Sequence, residues 1–324
     1  MKRREFLLVM VAGLCPLPLR AQTPAKVARI GFLGLAPASA WVSEINALRN
    51  GLRELGYVEG TNFVFDFRWA ADPAETLKLA GELVRENVDI IVAPASTQVE
   101  PVRTLTRTIP IVFTQHADPV GTGVVESLAH PGGNITGVSM VLTELAAKGL
   151  EFLKQAIPNA ERFGVLWNPT TPSHRKVVEE VKAAAPALGV ELSLIPVRAV
   201  EDFEPAFEAL RREQAAGFLV PSSPLTNSQP AALAALGLKY RLPGMFGNKH
   251  NVRAGGLMSY GADFDDMYGH AAIYIVKILH GEKPSDLPVE QASKYDLVLN
   301  LKTAKALGID LPPALLARAD EVIE

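Results

Sequence analysis

Small polar residues stand directly after short apolar runs at five places in this chain. Ser39 and Trp41 follow the run at 30–33, Ser96 and Thr97 follow 90–92, and Gln115, His116 and Asp118 follow 111–113. Further along, Asn168, Thr170 and Thr171 follow 163–166, while Ser222, Ser223, Thr226 and Asn227 follow 218–220. Hydroxyls and amides at such points suit recognition of an anionic group, because each loop leads into a helix whose open N–H groups and dipole attract a carboxylate. The same residue types are also what a helix start needs as a cap, so each taken singly reads equally as a cap, and only their convergence points to a ligand. Asp118, before Pro119, suits either a turn or a pair with a ligand ammonium. Trp41 suits an aromatic wall or a core stripe. Tyr260, in Met258-Ser259-Tyr260-Gly261, suits an aromatic wall or packing where the chain crosses between halves of the molecule.

Signatures of catalysis are sparse. No G-x-G-x-x-G follows a strand, and there is no P-loop, no G-x-S-x-G elbow and no H-E-x-x-H. The six histidines lack ligand spacing, so no metal or cofactor is expected. His116, just after a strand, is the exception that keeps a hydrolase or isomerase acting through His116 or Asp118 open as an alternative.

The elements that must position these residues alternate regularly. Runs rich in Val, Ile and Phe at 30–33, 63–67, 90–92, 111–113 and 135–138 alternate with helix-period segments, as in βα units around a parallel sheet. Trp41, Ile45, Leu48, Leu52 and Leu55 make one apolar stripe that stops at Gly56. Asp72-Pro73-Ala74-Glu75 opens the next helix with a cap, a first-turn proline and a capping-box carboxylate. A second series has strands at 163–166, 190–195, 218–220 and 244–246. Two such series predict two Rossmann-like lobes, 27–139 plus 257–283 and 140–256 plus 290–324, joined by several short crossings that act as a hinge. Ligands of open α/β sheets bind beyond the carboxyl ends of strands, so both polar sets should face one cleft.

With 324 residues, 48% of them hydrophobic and 21% charged, the chain has a globular balance and room for about two domains. Residues 1–21 carry Lys2, Arg3, Arg4 and Arg20 against Glu5, then an apolar stretch from Phe6 to Leu14 and a small residue at Ala21, the order of an export signal. Lys2-Arg3-Arg4-Glu5-Phe6-Leu7 fits both a twin-arginine and a general secretory route, and the destination in either case is the periplasm. Removal of this segment leaves 28 basic and 34 acidic residues, a net charge of −6 that disfavours nucleic-acid and anionic-membrane binding. The single cysteine, Cys15, leaves with it, which excludes disulfides and thiol catalysis.

Four segments carry a resemblance. Gly51-Leu52-Arg53-Glu54-Leu55-Gly56-Tyr57-Val58-Glu59-Gly60, His130-Pro131-Gly132-Gly133-Asn134-Ile135-Thr136-Gly137-Val138-Ser139, Gly255-Gly256-Leu257-Met258-Ser259-Tyr260-Gly261 and Leu299-Asn300-Leu301-Lys302-Thr303-Ala304-Lys305-Ala306-Leu307-Gly308 resemble the ABC-transporter substrate-binding family that includes tryptophan- and tyrosine-binding members. The resemblance runs from about Arg29 to the C-terminus. It implies a type I periplasmic-binding fold, an α/β pair of lobes closing on a solute without catalysis, with the solute carboxylate near Ser96 and Thr97. The pocket segments depart from the commoner pattern, with Ala95-Ser96-Thr97-Gln98 where glycine-threonine-proline is frequent. The expectation is therefore a monomeric protein that closes on a carboxylate-bearing solute, an amino acid or related acid, and delivers it to an ABC permease. The contacts expected are Ser39, Trp41, Ser96, Thr97, Gln115, Asp118, Asn168, Ser222, Thr226 and Tyr260. A periplasmic sensor subunit is the other non-enzymatic alternative.

Overall fold

The computed structural model describes residues 27–140 and 142–324; the export signal expected at 1–21 lies outside them. The first series builds β1 (Ala28–Leu35), α1 (Val42–Glu54), β2 (Phe63–Ala70), α2 (Pro73–Arg85), β3 (Ile90–Val92), α3 (Ser96–Leu105), β4 (Ile111–His116) and β5 (Ile135–Ser139). The second builds α4 (Leu142–Ala156), β6 (Arg162–Trp167), α5 (His174–Ala184), β7 (Glu191–Pro196), α6 (Phe203–Arg212), β8 (Phe218–Val220), α7 (Pro224–Asn227), α8 (Pro230–Lys239), β9 (Gly244–Phe246), α9 (Lys249–Arg253) and β10 (Met258–Ala262). The chain then returns through α10 (Phe264–Leu279) and ends in β11 (Glu290–Gln291), β12 (Tyr295–Asn300), two short helices and β13 (Glu321–Ile323).

Local rules account for the boundaries. Asp72 caps α2 by accepting the Glu75 N–H at 3.0 Å, with Pro73 in the first turn where its missing N–H costs nothing. The α1 stripe buries Ile45, Leu48 and Leu52, and a three-residue-per-turn segment at Ala38–Trp41 precedes it and carries Trp41 inward.

The first sheet runs β11-β5-β4-β3-β1-β2 and the second β13-β12-β10-β9-β8-β6-β7, parallel throughout except for the β10–β12 pair. Strands 2 to 8 residues long, with β3, β4, β5, β8 and β9 buried along their whole length, are what a sheet covered by helices on both faces requires. Two segments lie in the other lobe from the one expected. Residues 258–262, expected with the first lobe, form β10 and pair with β9 and β12 in the second sheet. Glu290–Gln291, expected with the second, pairs with Val138 and Ser139 at the edge of the first sheet. Gly261 lets β10 lie close on the loop after β9, where a Cβ would stand 2.1 Å from the Gly247 carbonyl oxygen. Helix α10 then packs on α1, β4 and β5 in the first lobe. Among the described residues the chain thus crosses between lobes three times, near 140, 263 and 292.

Candidate ligand-binding cleft

Three cavities line up between the lobes, beyond the carboxyl ends of β1, β3, β4, β6 and β8. The largest, ≈ 370 Å³, is walled by Leu35, Asp72 and Thr97 from the first lobe and by Asn168, Thr171, Arg198 and Leu225 from the second. A small one lies deeper, among Ser96, Gln115, Ser173, Ser222 and Asn227. Another small one is bounded by Trp41, Glu44, Gln115, Asn227, Ser228 and Phe264. Pro224, at the start of α7, touches all three, so they are one cleft partitioned by a single turn of the second lobe.

The first-lobe wall is built around the start of α3. The first backbone bonds of this helix run from the Gln98 and Val99 N–H groups to the Ala95 carbonyl oxygen, which leaves the N–H groups of Ser96 and Thr97 ahead of the ladder. Ala95 offers no side-chain cap. Gln115, at the end of β4, is buried and its Oε1 has no partner in the protein. Trp41 is buried with its indole N–H donated to the Leu35 carbonyl oxygen at 3.0 Å, so it presents only its ring. Glu44, one helical turn on, is buried too, and burial, with Asp265 nearby, pushes its carboxyl up to about 7 against the pull of its own backbone N–H.

His116 belongs to none of these cavities. Its Nδ1 accepts the Asp118 N–H at 3.2 Å, which fixes the proton on Nε2, and that nitrogen is sealed in the interior without a partner. Burial pushes it down to about 3. A general base needs a lone pair aimed at the substrate; here it is occupied by the chain itself.

The second-lobe wall is held by a second buried histidine. His174 Nδ1 accepts the Asn168 N–H at 3.0 Å, and Nε2 stands 2.9 Å from the Ser222 carbonyl oxygen, to which it donates. One imidazole thereby ties the loop after β6 to the loop after β8, and burial holds it neutral, down to about 4, against the pull of the Ser222 carbonyl. Ser173 and Ser222 both line the deep cavity, and their hydroxyls are buried and without a protein partner. Asn168 lines the large cavity, but its Oδ1 is occupied by the N–H and hydroxyl of Thr170 at 2.9 and 2.8 Å.

Four expected contacts stand elsewhere. Thr226 and Ser223 close a reciprocal cap, Thr226 N–H to Ser223 Oγ at 3.2 Å and Ser223 N–H to Thr226 Oγ1 at 3.0 Å, so helix capping uses this hydroxyl. Asp118 opens a turn through the Gly121 N–H at 2.8 Å and makes a 2.9 Å ion pair with Lys176 of the other lobe, spanning the cleft instead of lining it. Tyr260 packs on Phe152, with ring centroids 5.0 Å apart, and lines a separate small cavity beneath α4. Ser39 is exposed, with its side chain outside the cleft cavities. Glu44, Ser173 and Ser228 were not foreseen. Glu44 carried a signal, a carboxylate three residues after Trp41 and four before Leu48 on the apolar stripe. Among the described residues no group of three His, Cys, Asp or Glu is arranged to hold a metal.

Comparison with known proteins gives a consistent picture. The family described as ABC transporter substrate binding protein matches residues 38–323. A tyrosine-binding protein of Clostridioides difficile is 27% identical over 259 residues, 80% of this chain and 74% of that protein. The structure of an ABC domain in complex with L-Trp from Streptococcus pneumonia superposes with a TM-score of 0.84 at 26% identity, covering 92% of this chain and 100% of that one. The ligand-free, open structure of a substrate binding protein with adhesive properties from Clostridium difficile, also 26% identical and covering 92% and 99%, gives 0.67.

Proposed function

This chain belongs to the ABC transporter substrate binding protein family, and on that premise we propose that it is the periplasmic receptor of an importer, closing its lobes on a small carboxylate-bearing solute and presenting the closed form to a permease. It has the type I periplasmic-binding fold and is a binding protein, not an enzyme. The observation that carries the reading is the deep cavity. Gln115, Ser173 and Ser222 line it beside the open N-terminus of α3, and each carries a buried polar atom without a protein partner, Oε1, Oγ and Oγ. A buried polar atom left unpaired costs roughly 1–3 kcal/mol, so a site that keeps three of them is built for a polar guest. Hydroxyls and helix N–H groups favour an anion, and the ≈ 370 Å³ cavity alongside has room for a side chain. The names of the relatives make L-tryptophan and L-tyrosine the first solutes to try. The lobe arrangement also supports closure: at equal identity the chain superposes better on the L-Trp complex than on the open, ligand-free structure.

Calorimetric titration tests the carboxylate. L-Tryptophan or L-tyrosine should bind, the corresponding amide should bind at least about tenfold more weakly, and Ser96→Ala should weaken the acid about tenfold, the effect of one lost hydrogen bond to a charged group. Amides that bind as tightly as the acids would remove the anion from the reading.

A further inference from the structure

Glu44 stands apart from the anion-seeking side of the cleft. Glu44 and Gln115 line the same small cavity, with Trp41 and Phe264 beside them. The Glu44 carboxylate and Gln115 Oε1 are both acceptors, and neither meets a cationic side chain: Gln115 Oε1 is buried without a partner, and among the described residues no Lys or Arg nitrogen lies within 4 Å of Glu44. The nearest basic group is His250 of α9, whose Nδ1 is 3.9 Å from Glu44 Oε1, beyond hydrogen-bond reach. Gln115 also borders the deep cavity that holds Ser96, Ser173 and Ser222. An acceptor pair and a donor set therefore adjoin across one side chain, which is the charge pattern of a zwitterion.

We propose that Glu44, with Gln115 Oε1, receives the ammonium group of the solute, so that the cleft selects α-amino acids over the matching deaminated acids. This rests on the carboxylate reading above, since it is the carboxylate in the deep cavity that brings the ammonium to Gln115. Binding is then coupled to a proton. The groups facing Glu44 are Asp265 and Tyr268 from α10, His250 from α9 and Gln115 from β4. Burial, and then Asp265, raises the carboxyl to about 7, so in the empty protein at neutral pH it is partly protonated. Burial lowers the pKa of His250, which keeps that ring from supplying the charge. An arriving ammonium favours the carboxylate, and the displaced proton leaves to solvent.

The test is calorimetry on the full mature chain with L-tryptophan, L-tyrosine, 3-(indol-3-yl)propanoate and 3-(4-hydroxyphenyl)propanoate, for the wild type and Glu44→Gln. The wild type should prefer the better amino acid over its deaminated partner by at least about tenfold, and Glu44→Gln should reduce that preference below about threefold. Titrations in two buffers of different ionisation enthalpy should show release of about half a proton at pH 7 and almost none at pH 8.5, a readout that needs only the wild type. Equal wild-type affinity for both members of a pair, a preference that survives Glu44→Gln, or no proton release would overturn the assignment and leave the carboxylate reading standing. Binding of none of the four would overturn both.

Discussion

His116, at the end of β4, and His174, at the start of α5, make the same kind of bond in the two lobes, each accepting at Nδ1 the N–H of a residue just beyond a strand and each held neutral by burial, down to about 3 and about 4. Unfolded, both titrate near 6.5, so between that value and the folded one the unfolded chain binds more protons. Their contribution is complete above about pH 6.5 and is lost as the pH falls toward 4, at up to roughly 1.4 kcal/mol per pH unit for each ring. Glu44 acts in the opposite sense. Raised to about 7, its contribution in the empty protein is complete below its unfolded value and is lost as the pH rises through 7. Urea unfolding between pH 6.5 and 5.5 should therefore show stability falling with acid. The slope should be steeper by about one proton in Glu44→Gln and shallower by about one in His174→Gln. Parallel slopes in all three proteins would show that neither group titrates as its surroundings dictate.

At the scale of elements, the cleft depends on how closely α1 seats on α10, because α1 carries Glu44 and the turn before it carries Trp41. Glycines set that distance: a Cβ on Gly51 would stand 2.9 Å from both the Ala272 Cβ and the Gly269 carbonyl oxygen. Gly51→Val should lower the unfolding free energy by about 2 kcal/mol, since two helices already in close contact must separate, and should weaken solute binding as α1 is lifted. A melting temperature within a degree of wild type would refute the tight seat. Much of this level was legible beforehand. The alternation of short apolar runs with helix-period segments located the parallel strands, and the polar residues at their ends gave Ser96, Thr97, Gln115 and Ser222 a place on the cleft. Legibility stopped where partners are chosen in space. Nothing in the hydropathy of 258–262 distinguishes a strand beside β9 from one in the first sheet, and the hydroxyl of Thr226 reads alike as cap or contact until Ser223 is seen opposite it. His174 and Glu44 sit on apolar helix stripes, where a polar residue breaking the period was the available sign.

At the scale of the whole molecule, the question is what keeps the lobes together. Lys249 and Lys294 both pair with Asp263 at 3.0 and 2.6 Å, and Lys249 also reaches Asp296 at 2.9 Å, so the crossing near 263 is pinned on the second-lobe side. Direct ionic contact across the mouth comes from Asp118 and Lys176, and the lysine side chain is 52% exposed. An ion pair that wet is worth about 0–1 kcal/mol, enough to bias an open–closed equilibrium by no more than about fivefold. The buried hydroxyls and acceptors of the cleft have more to gain from a guest, so closure should be driven by the solute, with the latch only trimming it. Small-angle scattering should show a smaller radius of gyration with saturating L-tryptophan than without solute, and Lys176→Ala should reach the same compact end point with affinity reduced less than about fivefold. If Lys176→Ala stays expanded at saturation, the latch and not the cargo closes the molecule. If the wild type is equally compact with and without solute, closure is not the signal that a permease reads.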